Sequence, residues 1–520
     1  MFIAKKRAEV QDKIRRRDQA ILDHILTPEL FLQAALRSGL EMLLCPLHLV
    51  NRVGLAISAA GNPDRGFADI LGLSRNTLVD HETLPQSDLG RYLTQPHQRR
   101  RHASPHDPRK GPAEPVSEAA LAKARQRMPS AFWVARFLLV VERFHRLDAD
   151  VLRWPRFRLL AVAGSDLSLP DWPALREHFG TANNAGGRHG AQARLVLLPF
   201  PQARRPCADA LGPIACGEIR LARQLLQGLP ADALVLLDAG FWCYGLFGQI
   251  HYQGASVCLR LRRNPNLRII KELRKDRRGN DVLVEWTPRD SRSNWRKAGL
   301  PPAMPLRLLI YPAKGLRPLR LLTNVVDSKD VPYEQFWGRR VSPQGEILSK
   351  GVYNMRWEIE ITYLELKVQQ QLENGLRSRC PEGTYDAVAG HVLYYLLVRW
   401  LMVEAAVAAG VSPLRLSFTA ALREIKRQWP SAVVASAAWL TPQLRPRRWE
   451  RLASHRVAER PRRSYRRGEK ARRADKRAKD AQRTKQAKSD AQTNTEPRPW
   501  FGQGWDLAGA KSCSAAPPEG

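Results

Sequence analysis

Cysteine is scarce in this 520-residue chain. Its seven cysteines, Cys45, Cys207, Cys216, Cys243, Cys258, Cys380 and Cys513, are scattered, odd in number and never spaced as CxxC. That pattern excludes a disulfide-built scaffold and a zinc module. Long apolar runs are also few. The N-terminus, MFIAKKRAEVQDKIRRR, is charged where a secretory signal needs an unbroken apolar stretch, so a reducing cytoplasm is the expected setting. The nearest approach to a membrane span, Ala387–Met402, is short and interrupted by His391 and Arg399, and it reads as a buried helix with no membrane partner. Acidic side chains are in deficit too, with 50 Asp and Glu against 84 Lys and Arg, a net charge of +34.

A field of that size exceeds what solubility requires and favours a polyanionic partner, nucleic acid before membrane. The C-terminal segment accounts for part of it, because residues 445–488 hold nineteen Lys or Arg and five Asp or Glu. The larger share of the excess lies in the body of the chain. An apolar fraction of 44% supports a globular body, and the length calls for more than one structural unit.

Residues 1–60 read as basic and apolar helical segments, with Thr27 or Pro28 opening one of them and Leu32, Leu36, Leu40 and Leu43 supplying its apolar positions. The stretch 95–114, rich in His, Arg and Pro, reads as an exposed loop. Ser117 caps EAALAKARQRM, and FWVARFLLVVERFHRL completes an N-terminal helical region over 1–150 that is expected to contact DNA. From Phe157 the grammar changes. Apolar strands are expected at Phe157–Ala163, Arg194–Leu198 and Ala233–Leu237, with a GSDLSLP connection after the first and the helix GEIRLARQLLQG before the last. Strands with a helix between parallel members imply an α/β fold, a mixed sheet flanked by helices.

Between Asp238, which ends the third strand, and Glu360 lies far more chain than one crossover needs. Strands expected at Ser256–Arg262, Leu267–Glu272, Val282–Thr287, Leu306–Tyr311 and Leu319–Val326 make this an inserted, mainly-β domain over 251–345. The core is then expected in two parts, 155–250 and 346–440, the second with helices over 384–408 and 412–439. Residues 445–520 lack an apolar stripe and read as a basic tail, disordered or conditionally helical, in which Trp500 and Trp505 are candidate partner contacts.

The most informative stretch is the helix expected around Tyr353, Arg356, Glu360 and Lys367. Steps of three, four and seven residues bring all four side chains to one face and flank one carboxylate with cationic and phenolic groups. Carboxylates on separate elements in a basic chain suit two-metal phosphoryl transfer, in which hard divalent ions about 4 Å apart activate the attacking oxygen and stabilise the leaving one. Asp238 and Glu360 are two candidates. The plainer reading is a surface helix with an Arg356–Glu360 pair worth roughly 0.2–0.5 kcal/mol.

The spacing Tyr, two residues, Arg, three residues, Glu, six residues, Lys resembles the Y-R-E-K signature of one group of bacterial insertion-sequence DDE transposases. Further resemblance lies in VSEAALAKARQRM, LLDAGFWCYGLF around Asp238, LRLLTNVVD and LRSRCPEG, so that it covers about residues 110–405. The resemblance implies a ribonuclease-H-like core and Mg²⁺-dependent (or Mn²⁺-dependent) cleavage and strand transfer at transposon terminal inverted repeats. It further implies double-stranded transposon-end and target DNA as partners, a homodimer in the DNA complex, and a nucleoid-associated protein. By it Asp238 is the second catalytic acid and metal ligand, and Glu360 the third. The first acid opens an Asp-Gly-Ser or Asp-Gly-Thr phrase, but this chain reads AVAGSDLSLPD, which sets Ala163 at that position. An alanine methyl cannot coordinate metal. Asp166, three residues on, is the alternative ligand, and its plainer reading is a turn cap.

Tyr353, Arg356 and Lys367 are expected at the DNA backbone or around Glu360. Trp242, with Phe241, is a candidate for stacking on a flipped base, against a plainer role in the core. Two other functions are consistent with the same residues: a catalytically impaired, transposase-derived DNA-binding protein, which Ala163 favours, and a metal-dependent DNA nuclease.

Overall fold

The computed structural model describes residues 153–424 and 445–458, apart from 155, 185–186, 262–265, 277–278, 289–294, 297, 313–317, 330 and 342–346, together with Val141. The expected N-terminal helical region, its 95–114 loop and the chain beyond residue 458 lie outside the described residues.

The centre is an eight-stranded sheet. Strand β1 (Arg153–Trp154) pairs antiparallel with β2 (Phe157–Ala161), which at Val162 gives way to β3 (Ala163–Ser168). Helix α1 (Pro173–Phe179) follows, then β4 (Thr181–Asn184), the long β5 (Gly187–Phe200) and β6 (Arg205–Pro213). Helix α2 (Glu218–Leu225) leads into β7 (Ala233–Leu237), and α3 (Tyr244–Tyr252) into β8 (Ser256–Arg260). β2 pairs parallel with β7, and β7 parallel with β8. Every residue of β7 is buried, as a strand covered on both faces requires.

The first strand changes partner at Val162. Its β2 half runs beside β7, whereas its β3 half pairs antiparallel with β5, which in turn pairs with β6. GSDLSLP, expected as a connection, is therefore mostly strand: Asp166 stands directly opposite Arg194, and the backbone finds its partners in β5.

The β-rich insertion continues this sheet. Strands β9 (Leu267–Asp276), β10 (Gly279–Trp286), β11 (Met304–Tyr311) and β12 (Leu319–Thr323) extend it from β8 in the order β8-β12-β11-β10-β9, antiparallel throughout. β8 lies within the range expected for the insertion, yet its parallel pairing with β7 makes it a core strand. Arg307 is fully buried on β11 and bridges to Asp281 on β10 at 2.5 Å, pinning the two strands. After the short helix α4 (Tyr333–Phe336), β13 (Arg339–Val341) and β14 (Ile347–Lys350) form a separate ribbon.

The Glu360 element is one helical run of three geometries: a 3₁₀ turn (Val352–Arg356), α5 (Trp357–Tyr363) and a π-helical stretch (Leu364–Gln369). It ends at Gln371, in left-handed backbone at φ 60°, before α6 (Leu372–Gly375). Helix α7 (Pro381–Ala408), with Pro381 in its first turn, is buried on nearly every face. It has the length and composition of a membrane span, but as expected it is packed within the protein. Residues 418–424 are helical, and the described part of the expected 412–439 helix begins with a 3₁₀ turn, Pro413–Arg415. The tail, expected from 445 to be disordered or conditionally helical, begins with a helix, α8 (Arg445–Ser454). There Leu452 and Ala453 are buried, and Arg456 bridges to Leu416. Those two adjacent apolar residues suffice because the rest of the fold supplies the surface they cover.

Candidate active site at the end of the central strands

Asp238 leaves the end of β7 and caps the 3₁₀ turn Ala239–Phe241, its Oδ1 accepting the Gly240 N–H at 2.6 Å. A Cβ at position 240 would lie 2.8 Å from that oxygen, so glycine is needed for the turn to close on the carboxylate. In the parallel pair, Ala161 stands level with Leu236, and the Val162 N–H donates to the Leu236 carbonyl at 3.3 Å.

The signature residues dock on these strand ends. Tyr353 is 2% exposed and its hydroxyl donates to the Leu237 carbonyl at 3.1 Å, immediately before Asp238. Burial raises its pKa and keeps the phenol protonated. The expectation of a DNA contact at Tyr353 is corrected by this geometry: an enclosed ring with a satisfied hydroxyl is a brace between helix and sheet. Arg356 is buried, donates to Glu360 Oε1 at 2.7 Å and lies over the exposed Trp357 ring at 5.3 Å. Burial opposes its charge, but Tyr353, Glu360 and Asp238 all favour it, and the net effect raises its pKa. One guanidinium thus feels both acids. The Glu360 side chain is 44% exposed and open to a ligand.

Further along, the Tyr363 hydroxyl lies 2.8 Å from the Ala163 carbonyl and 2.9 Å from that of Leu195, donating to one at a time. Lys367, set in the π-helical stretch, donates to Ser165 Oγ at 3.2 Å and to the Asp166 carbonyl at 2.5 Å, and pairs with Glu373 at 3.1 Å. Asp166 itself faces solvent and is bound by Arg194 at 2.9 Å. The Trp242 ring stacks on Trp286 with centroids 4.1 Å apart, and Phe241 is buried.

Behind this face the helical run is anchored through buried charge. Arg204, in left-handed backbone at the β5–β6 turn, bridges Glu358 at 2.6 Å and Glu365 at 2.7 Å. Glu365 also pairs with Arg399 of α7 and accepts the Tyr395 hydroxyl at 2.7 Å. Burial acts to raise the Glu365 pKa, but the charges of Arg399 and Arg204 outweigh it and hold the carboxyl below its usual range. These partners flank Glu360 at both ends of α5.

Glu218, at the first position of α2, escaped sequence reasoning. Its Oε1 accepts the Gly164 N–H at 2.6 Å. Burial raises its pKa despite that hydrogen bond, and the negative charges of Asp238 and Asp166 add to the effect. A glutamate opening an amphipathic helix reads as a complement to the helix dipole, so no sequence signal marked it.

Among the described residues no three His, Cys, Asp or Glu are grouped so as to hold a metal ion. Asp238 and Glu360 are present, but no third such side chain is grouped with them. The three-acid set implied by the family resemblance therefore does not fit a divalent ion here as it stands.

A mixed open sheet flanked by helices, with a carboxylate at the end of β7 and a second on a helix docked against that end, is a ribonuclease-H-like arrangement. Residues 182–397 match the family model described as "Transposase DDE domain". The relatives that the chain resembles are bacterial transposases as well. The chain is 28% identical over 362 residues to "Transposase InsG for insertion sequence element IS4" of Escherichia coli (strain K12), covering 66% of this chain and 77% of the relative. It is also 28% identical over 148 residues to "Putative transposase InsZ" of the same organism, covering 27% of this chain and 48% of the relative. A solved piggyBac transposase synaptic complex with hairpin DNA aligns over 85% of this chain, at 8% identity and a TM-score of 0.33.

Proposed function

We propose that this protein is a DNA transposase that cleaves double-stranded DNA at the terminal inverted repeats of its element and joins the ends to target DNA. The observation that carries the reading is the convergence of Asp238 and the Arg356–Glu360 pair beside the parallel strand ends, in a chain with a DDE transposase domain. Arg356 orients Glu360. Lys367 holds strand β3 against the helical run, and the net charge of +34 supplies counter-charge for phosphates. Such chemistry draws on Mg²⁺ or Mn²⁺. The protein acts as a homodimer on paired ends, in the cytoplasm at the nucleoid.

A second reading, a DNA-binding protein retaining the transposase fold without catalysis, is favoured by Ala163. Incubation of the full chain with a labelled terminal-repeat duplex, a target plasmid and Mg²⁺ or Mn²⁺ tests both. Cleaved and joined products that vanish with Asp238→Asn and with Glu360→Gln support the transposase. Specific duplex binding with no product supports the non-catalytic binder. Cleavage of structured DNA without joining marks a nuclease.

A further inference from the structure

We propose that Glu373 is a positioning residue for DNA, the resident counter-ion of Lys367 that a backbone phosphate displaces when duplex reaches the strand ends. The inference rests on the transposase reading above and names a regulating partner for one residue of its site. Three acceptors surround the Lys367 ammonium: Ser165 Oγ at 3.2 Å, the Asp166 carbonyl at 2.5 Å and Glu373 Oε1 at 3.1 Å. An ammonium has three N–H donors, so none is left for a phosphate while all three contacts stand. Two of the acceptors are neutral groups of β3. Glu373 alone brings charge, and it comes from α6, past the left-handed turn at Gln371 that ends the helical run.

Glu373 is also the partner most readily exchanged. The Lys367 and Glu373 side chains are 22% and 31% exposed, and an ion pair open to solvent is held by little. The same Oε1 accepts the Ser168 N–H at the end of β3 at 3.0 Å, so a carboxylate that gives up Lys367 keeps a donor and is not stranded. A phosphate oxygen offers the ammonium the charge that Glu373 supplies, while Ser165 and the Asp166 carbonyl go on fixing Lys367 to the first strand. The Asp166 carboxylate is held by Arg194 at 2.9 Å and does not compete for the ammonium. Without DNA, the pair keeps this cation neutralised beside Glu360; with DNA, the cation turns to the phosphate and Glu373 stays on Ser168.

The test is binding of the full chain to a labelled terminal-repeat duplex, by fluorescence anisotropy from about 50 to 200 mM salt and without divalent ions, so that no strand is cut. Glu373→Gln keeps an acceptor for the Ser168 N–H and removes only the charge. It should tighten binding about twofold to fivefold at the low-salt end, as expected for release of a partly exposed ion pair. It should also steepen the slope of log affinity against log salt by up to about 0.9. Lys367→Gln should weaken binding, and adding Glu373→Gln to it should bring no gain, because the glutamate acts through the lysine. Unchanged affinity and slope in Glu373→Gln, or an equal gain with and without Lys367, would each overturn the proposal; the second outcome makes Glu373 a bystander acid that repels DNA. Should Glu373→Gln not fold, Glu373→Asp keeps the charge but shortens the reach by one methylene, and unchanged binding there overturns it equally. End cleavage separates this proposal from the reading beneath it. A wild type that binds with this dependence on Glu373 but cuts nothing in Mg²⁺ defeats the transposase reading alone. A wild type that cuts and joins while Glu373→Gln binds as before defeats the counter-ion role alone, and no duplex binding by the wild type overturns both.

Discussion

Removing the Glu365 carboxylate should cost more than any surface change on the same helix. Glu365 accepts from Arg204 at 2.7 Å and from the Tyr395 hydroxyl at 2.7 Å, and it pairs with Arg399, which is fully buried. In Glu365→Ala, Arg204 keeps Glu358, but Arg399 keeps only the Tyr395 hydroxyl at 3.2 Å, and its Nη1 has no partner to begin with. A buried charge stranded in this way costs about 3–5 kcal/mol, a large part of the roughly 5–15 kcal/mol that stabilises a typical domain. Removing both charges, as in Glu365→Leu with Arg399→Met, should recover most of that loss because no ion remains unpaired. Urea unfolding of the full chain followed by tryptophan fluorescence measures all three variants. A Glu365→Ala loss below about 1 kcal/mol, or a double variant no more stable than the single, would refute the argument that this network is held by mutual neutralisation. Where Glu365→Ala still folds, end cleavage should also fall, since the network flanks Glu360.

Burial pushes the His391 pKa down to about 3 from 6.5, so the unfolded chain takes up a proton below pH 6.5 that the folded chain refuses. Its contribution is complete above that pH and declines by about 1.4 kcal/mol per unit below it, roughly 2 kcal/mol by pH 5, and His391→Gln should flatten that part of the stability profile. Ala163→Asp in the otherwise native chain should strengthen Mn²⁺ binding and raise end cleavage on a terminal-repeat duplex; unchanged binding and cleavage would mean that position 163 does not face the reacting phosphate. Deleting residues 459–520, beyond the packed helix Arg445–Ser454, should weaken binding to random duplex and flatten its dependence on salt while leaving the melting temperature in place. Equal salt slopes for the two lengths of chain would assign the phosphate contacts elsewhere.

The central strand Ala233–Leu237 was legible to the residue, because five consecutive apolar residues ending in Asp-Ala-Gly leave little choice of element. Helix α7 was legible for the same reason, with an apolar surface on every side. Strand β6 (Arg205–Pro213) was not, since two prolines and a glycine interrupt it; the structure absorbs Pro206 at a register shift against β5, where a missing N–H costs little. Strands within 251–345 were read largely correctly, but periodicity reports which residues alternate and not which strand lies alongside, so an extension of the core sheet read as a separate domain. In the candidate site, Asp238 drew attention by its place at the end of an apolar run and Glu360 by the spacing of its helix, whereas Ala163 stood out only through the family resemblance. Glu218 was not legible, because what singles it out is its contact with Gly164, which exists only once the two elements are packed.

The irregular helix bears on why the signature spacing works. A uniform α-helix drifts about 20° between positions seven residues apart, so that Tyr353, Glu360 and Lys367 would share one face pointing in one direction. Here the run tightens to 3₁₀ before Trp357 and widens to π after Tyr363. Tyr353 reaches inward to the Leu237 carbonyl, Glu360 remains at the open end of the sheet, and Lys367 comes back to Ser165 and Asp166 on the first strand. The wide turn lacks the regular hydrogen bonding of an α-helix, and what holds it in place is the buried Glu365 within it, tied to Arg204 on one side and Arg399 on the other. Buried charge behind the helix and exposed charge in front of it therefore belong to one arrangement, in which the first fixes the geometry that the second requires.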